Sequence, residues 1–203
     1  HVTAAMRDQL LWHAVLFGSQ PARDFAGEAF QRLGSGKPVH ADIFKAVLQT
    51  GALLDDGQAL DWMINRLGQT RSEHERLTIM AAMGCFRRAD TLAAARDYVL
   101  DHVPDRNRFI PLVAMAVNPH AVKDLWGWFV DTQDRFKDFH PLLFERVIAA
   151  VVPVAGLVNP EAVRKFFEGY VDANPQARDV VNLSLEKLEI NRRFVANLDR
   201  ASL

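Results

Sequence analysis

The sequence predicts an all-α protein in which antiparallel helix pairs stack into a right-handed α-α superhelix. Three observations predict it. A helix-start signal returns about every fifteen to twenty residues, a spacing that suits repeated helical hairpins. Between these signals the apolar residues recur at three- and four-residue steps, and almost nothing alternates as a strand would. The breaks fall at glycines and Asn-Pro steps with a local mechanism: glycine adopts the conformation that closes a helix. Asparagine accepts an orphan N–H at a helix start, and the proline after it lacks the donor that would go unpaired.

The elements follow in order. The first helix runs from Val2 to Phe17, with Met6, Leu10, His13 and Phe17 on one stripe, and stops at Gly18. The second starts at Pro21, a residue favoured at the first helical position, and runs to Leu33 before Gly34-Ser35-Gly36. A third covers Ala41 to Gln49 and ends at Gly51; a fourth follows Asp55-Asp56, runs to Leu67 and is closed by Gly68. In Ser72-Glu73-His74-Glu75 a capping box opens the fifth, Ser72 and Glu75 each satisfying the other's exposed backbone donor, and Leu77, Met80 and Ala81 follow before Gly84. Asp90 caps a sixth, Thr91 to Leu100, which Pro104 ends from beyond. The seventh runs from about Arg106 to Val117 with a kink at Pro111. Asn118-Pro119, Asn159-Pro160 and Asn174-Pro175 open the eighth, tenth and last helices. The ninth, Pro141 to Val152, is so apolar that it belongs inside the stack.

Paired, these segments make units of roughly 30 to 40 residues, the range of helical solenoids of the HEAT or armadillo type. No linker divides the chain, so residues 1–203 read as one helical-repeat domain. Hydrophobic residues at 49% and charged residues at 24% exclude a disordered chain. A formal charge of -1 argues against nucleic acid as the main partner, because phosphate binding needs a basic surplus. No apolar run approaches the roughly 20 residues of a membrane span. One cysteine, Cys85, excludes an internal disulfide and a multi-cysteine zinc site, and fits a reducing, cytoplasmic compartment. The chain opens His1-Val2 with no signal-peptide layout, as a cloning remnant or a piece of a longer protein would.

No complete metal, phosphate-loop or nucleophile signature is present. His74-Glu75 begins like a zinc-protease helix, but the second histidine, due one turn later, is Thr78. Cys85 has Arg87 and Arg88 nearby, which would lower a thiol pKa; the alternative is a buried structural cysteine. Trp126 and Trp128 point about 200° apart on a helix, so one belongs to the core and the other can line a groove. Two basic clusters remain, Arg87-Arg88 and Arg106-Asn107-Arg108. If their turns converge on one edge of the stack, the guanidinium groups suit a carboxylate such as a peptide C-terminus. The alternative is solvated arginines paired with Asp90, Asp101 and Asp105.

From Leu77 onward the order of features resembles the C-terminal helical domain of the M1 zinc aminopeptidases. Ala82-Met83-Gly84-Cys85-Phe86-Arg87 is similar to that family's Ala-x-Gly-Cys-x-Arg turn, and Leu125-Trp126-Gly127-Trp128-Phe129 after Asn118 to its Ala-Trp-x-Phe. Phe166-Phe167 matches its paired phenylalanines. Leu185-Glu186-Lys187-Leu188-Glu189-Ile190-Asn191, with Phe194 and Asn197, resembles its closing helix. The likeness covers roughly the last two thirds of the chain; the first third fits only as more helical hairpins. Two departures stand out: Arg106-Asn107 or Asn107-Arg108 where the family often has Gln-Asp, and Gln133 where it often has a further tryptophan.

The resemblance implies a non-catalytic C-terminal piece of such an enzyme, with hydrolysis and zinc on a separate domain bearing His-Glu-x-x-His. Its partners would be that catalytic domain, in the same polypeptide, and peptide substrates. It would enclose the active-site chamber and limit which peptides enter, with Arg87, Arg88, Arg106, Asn107, Arg108 and Trp126 as candidates to face it. The competing expectation is a free-standing helical scaffold that binds another protein.

Overall fold

A computed structural model describes residues 2–54, 57–136 and 140–201. Among these residues the chain is all α: eleven α-helices joined by turns and short 3-10 segments, with no strand. They fall into two compact units, residues 1–99 and 100–203. His1 and the Asp55-Asp56 start signal lie outside the described residues.

The first unit holds α1 (Val2–Leu16), α2 (Gln20–Gly34), α3 (Phe44–Leu53), α4 (Ala59–Gln69), α5 (Glu73–Ala82) and most of α6 (Ala89–His102). Its centre is α3, on which every residue from Ala46 to Leu53 is buried. This helix touches α1, α2, α4 and α5. Such a helix has no polar face to offer water, so it must lie within the stack. Thr50 is tolerated there because its hydroxyl donates to the Ala46 carbonyl at 2.7 Å. The N-terminal end of α3 is closed from outside its own segment: Asp8 on α1 accepts a hydrogen bond from the Ala46 N–H at 2.7 Å. A carboxylate at that pole satisfies an orphan donor and opposes the helix dipole.

The second unit holds α7 (Phe109–Ala116), α8 (Val122–Asp131), α9 (Pro141–Ala155), α10 (Pro160–Ala173) and α11 (Arg178–Ala201). Here α9 is central, with Val147, Ile148, Val151 and Val152 fully buried, and it packs against α7, α8 and α11. In both units odd-numbered helices touch the next odd-numbered one, α1 to α3 to α5 and α7 to α9 to α11. That order is how stacked helical pairs bury a continuous layer. The segment Pro141–Val158 has a mean hydropathy of 1.9 over 18 residues, which by length and composition could cross a membrane. This corrects the expectation of no such run; the buried face of α9 is covered by its neighbouring helices.

Several boundaries differ from the sequence reading for physical reasons. On α1 the buried face is that of Val15, flanked by half-buried Leu11, Trp12 and Leu16, whereas Met6, Leu10 and Phe17 are exposed. Gly18 does close that helix, at φ +87°. Gly51 and Gly68 are not stops. Gly51 is buried inside α3 where the Phe30 ring lies against it, and Gly68 lies within α4. Pro111 produces no kink: it sits in the first turn of α7, where a missing N–H costs nothing, after a separate 3-10 turn at Asp105–Asn107. Asp90 lies inside the first turn of α6 rather than at its cap.

Of the three Asn-Pro signals, Asn159 acts as expected, accepting from the Ala162 N–H at 3.1 Å. Asn118 accepts from the His120 N–H at 3.0 Å and organises the turn ahead of α8. Asn174 instead donates from Nδ2 to the Tyr170 carbonyl at 3.0 Å, closing α10, and a 3-10 turn at Pro175–Ala177 precedes α11.

The capping box is half formed. Ser72 accepts from the Glu75 N–H at 3.3 Å, but the Glu75 carboxylate turns away to Arg66 Nε, 2.6 Å, and to the Thr70 hydroxyl. Burial opposes ionisation of Glu75, yet these two donors outweigh it and hold its pKa below the ordinary 4.5. A depressed carboxylate stabilises the fold fully above that value and loses its contribution as pH falls through the folded-state pKa. Glu75→Gln is expected to cost about 1 kcal/mol at neutral pH, a modest sum because Arg66 is partly exposed. As pH falls through the acid range below 4.5 the gap between wild-type and variant melting temperatures should close. A constant gap across that range would show that the carboxylate charge contributes nothing.

Candidate functional site

The first arginine cluster grows from a buried anchor. After α5 the chain makes a 3-10 turn, Met83–Cys85, and Met83, Gly84, Cys85 and Phe86 are all buried. Arg87 and Arg88 then emerge exposed. Arg88 grips Asp90 with two bonds, Nε to Oδ1 at 3.0 Å and Nη2 to Oδ2 at 2.5 Å. With the Thr91 N–H also donating, this pulls the Asp90 carboxyl down to about 2. Arg87 has no ion pair among the described residues.

The second cluster follows the same division. Arg108 is held by its own turn, Nε donating to the Val103 carbonyl and Nη1 to Asp105 Oδ1, each at 2.8 Å. Asn107 is 7% exposed, with its N–H on the Pro104 carbonyl. Arg106 is exposed and, like Arg87, has no ion pair among the described residues. Of the three expected acidic partners, Asp90 and Asp105 do pair with these clusters, while Asp101 pairs with Arg135. Two of the four guanidinium groups are thus held by local carboxylates, and Arg87 and Arg106 are the two open to an incoming carboxylate. The two turns belong to different compact units.

Cys85 is 5% exposed, and burial pushes its thiol up to about 12 despite a Gln49 amide donating to the sulfur at 3.7 Å. That settles the two readings in favour of a structural cysteine; proximity of arginines in sequence does not reach it. The native chain is expected to resist alkylation by iodoacetamide at neutral pH and to label at once in denaturant. Rapid labelling without unfolding would contradict this burial.

Trp126 is the core member of its pair, 7% exposed and packed on Phe129, Phe166 and Phe167 at centroid distances of 5.7, 5.7 and 6.1 Å. Trp128 is the more open one, edge-on to Phe136 at 5.7 Å. A covered ring offers no face to a passing peptide.

The sequence reading did not anticipate a cavity of about 490 Å³ within the second unit. Phe136, Phe144, Phe166 and Tyr170 form its aromatic wall, and Asp134 and Glu145 supply carboxylates. Its parts come from a 3-10 turn (Gln133–Phe136), α9, α10 and the 3-10 turn at Pro175–Ala177. The rings support one another: Phe136 to Phe144 is 5.7 Å, Phe144 to Tyr170 is 6.0 Å and Phe166 to Tyr170 is 6.1 Å. Tyr170 is held above its ordinary pKa by burial and by the Glu145 charge. The one signal available beforehand was Phe166 and Tyr170 four apart on one helix face.

The model of the ERAP1-like C-terminal domain family matches residues 1–190. The match takes in the first third of the chain, which the sequence reading filled only with hairpins, and ends before Phe194 and Asn197. Comparison with curated proteins gives no match.

Proposed function

Because the chain belongs to the ERAP1-like C-terminal domain family, and so is a C-terminal domain of an aminopeptidase, we propose that it encloses the active-site chamber of an M1 zinc enzyme and governs which peptides enter. Hydrolysis and zinc belong to another segment of the parent, and the partners are that segment and the peptide itself. The observation that carries this reading is the family match, which spans all of the first unit and most of the second.

The described residues around His74-Glu75 do not fit a zinc centre. The helix that opens His74-Glu75 has Thr78 one turn on, whose hydroxyl donates to the His74 carbonyl at 2.8 Å, and Glu75 is held by Arg66 and Thr70. Among the described residues no three metal-binding side chains gather. Arg87 and Arg106 are the side chains assigned to the chamber, where an open guanidinium can take a peptide carboxylate. A cytoplasmic location is part of the same proposal, supported by one cysteine that stays a buried thiol.

The test uses the parent enzyme and the chain alone. In the parent, Arg87→Ala is expected to raise KM for long peptides about 5- to 10-fold, the value of one charge-assisted hydrogen bond, and to leave single-residue reporters unchanged. Equal effects on both substrates would remove Arg87 from the chamber. The chain by itself, with zinc added, should not cleave aminoacyl reporters; turnover that survives repurification would overturn the division of labour.

A further inference from the structure

We infer that the outward face of α11 pairs two copies of this chain, antiparallel about a two-fold axis. The proposal goes beyond the chamber reading and does not rest on it. Successive residues of an α-helix turn by 100°, so exposure separates the two faces of α11. Val181, Ser184 and Leu188 are buried on one face, which the helix turns toward its own unit. Leu183, Ile190 and Phe194 lie on the opposite side, within about 40° of one another. They are 50%, 57% and 62% exposed, and with Leu198 at 51% they leave roughly 400 Å² of apolar surface open to water. A patch of that size, on a helix whose other face is already buried, marks a contact surface.

The spacing along the stripe selects the occupant. Counted from position 192, Ile190 and Phe194 stand two residues to either side, and Lys187 and Asn197 stand five to either side. The pattern thus reads the same in both directions. Lay a second α11 against it antiparallel, with the axis at position 192, and each Ile190 faces the other copy's Phe194. Each Lys187 then faces the other copy's Asn197, whose amide oxygen accepts from an ammonium group. A polar pair of this kind within an apolar seam fixes the register. Parallel packing would set Lys187 against Lys187 instead. A two-fold contact requires such self-complementarity, and an unrelated partner does not. Arg193, beside the axis, carries Glu189 with it at 2.9 Å, so the copies present ion pairs to each other and not bare cations. With polar flanks in the usual proportion the pair buries about 1,200 Å² in total, the lower end for a specific interface. The dimer is accordingly a weak one.

The experiment follows the mass of the full 203-residue chain by sedimentation equilibrium from about 5 to about 500 μM, the range that suits a contact of this size. The average mass should climb with concentration from one chain toward two. Phe194→Asp, or Ile190→Asp should the first not fold, is expected to weaken association at least about 100-fold and to leave the thermal melt unchanged, since both side chains are exposed. Disulfide cross-linking reads the direction, and the native Cys85 is too buried to compete. Ile190→Cys mixed with Phe194→Cys should yield a linked mixed dimer. Leu183→Cys should not link to itself, because antiparallel packing sets the two sites about 27 Å apart along the helices. The mass of one chain at every concentration, association untouched by both aspartate variants, or a self-linked Leu183→Cys dimer would each overturn the proposal. So would a monomeric chain whose Phe194→Asp change instead exposes the parent's catalytic segment to protease, the sign that the stripe docks that segment. Arg87→Ala should leave the dimer intact, which separates its failure from failure of the chamber reading.

Discussion

Truncating Phe129 to alanine is expected to cost about 3–5 kcal/mol, a large part of the stability of an ordinary domain. The side chain is fully buried and stands at the hub of the second unit's aromatic cluster. Its ring lies 5.5 Å from Phe136, 5.7 Å from Trp126, 6.0 Å from Phe144 and 6.3 Å from Phe166. Removing it opens a void that rings held in turn by one another cannot close, so the full cavity penalty applies. Urea unfolding followed by tryptophan fluorescence measures it well, because Trp126 and Trp128 report on this unit while Trp12 and Trp62 lie in the other. A stability loss below about 1 kcal/mol would mean that the cluster repacks freely.

Gly51→Val is the second large effect. A Cβ at this position would come 2.4 Å from Cγ and Cδ2 of the Phe30 ring, nearer than any real contact. Phe30 must then swing out, giving up its edge contact with Trp62 at 5.5 Å. The expected loss is about 1–3 kcal/mol, typical of overpacking. A double-mutant cycle makes the cause specific: in a Phe30→Ala background most of the penalty should vanish. The same cost in both backgrounds would show that Phe30 is not the obstacle.

Gly51 also shows where sequence reasoning reaches its limit. Gly18 and Gly51 look alike as the ends of apolar segments. Only the first has the positive φ of a closing residue; the second is glycine because another helix's ring lies against it. Start signals were legible where their chemistry is local, as at Ser72 and Asn159, whose side chains bond to N–H groups three residues on. They misled where a distant group competes, as at Glu75, captured by Arg66 nine residues back. The face that α1 buries was not legible, because Leu10, Leu11, Trp12, Val15, Leu16 and Phe17 nearly encircle it, and the packing of α2, α3 and the turn at Ala41–Ile43 decides among them.

The functional residues divide in the same way. Arg87 and Arg88 are identical in type, and the Asp90 two positions beyond Arg88 separates the one that is engaged from the one that is open. The aromatic cavity draws its parts from three separated segments, so no short motif could announce it. Many of the residues that carry the family resemblance are structural. Gly84, Cys85, Trp126 and Phe167 are buried, and Asn191 donates to the carbonyl of Pro153 inside α9 at 2.8 Å. Such residues specify a skeleton, which is why they identify the family without naming a substrate.

The hydrogen bond from the Ala46 N–H to Asp8 bears on how this protein is handled. The Asp8 carboxylate on α1 serves as the plug for a socket nearly forty positions downstream. Anyone trimming the gene to obtain a tidier crystallisation target should therefore cut ahead of this aspartate, or carry an equivalent acid into the shortened version.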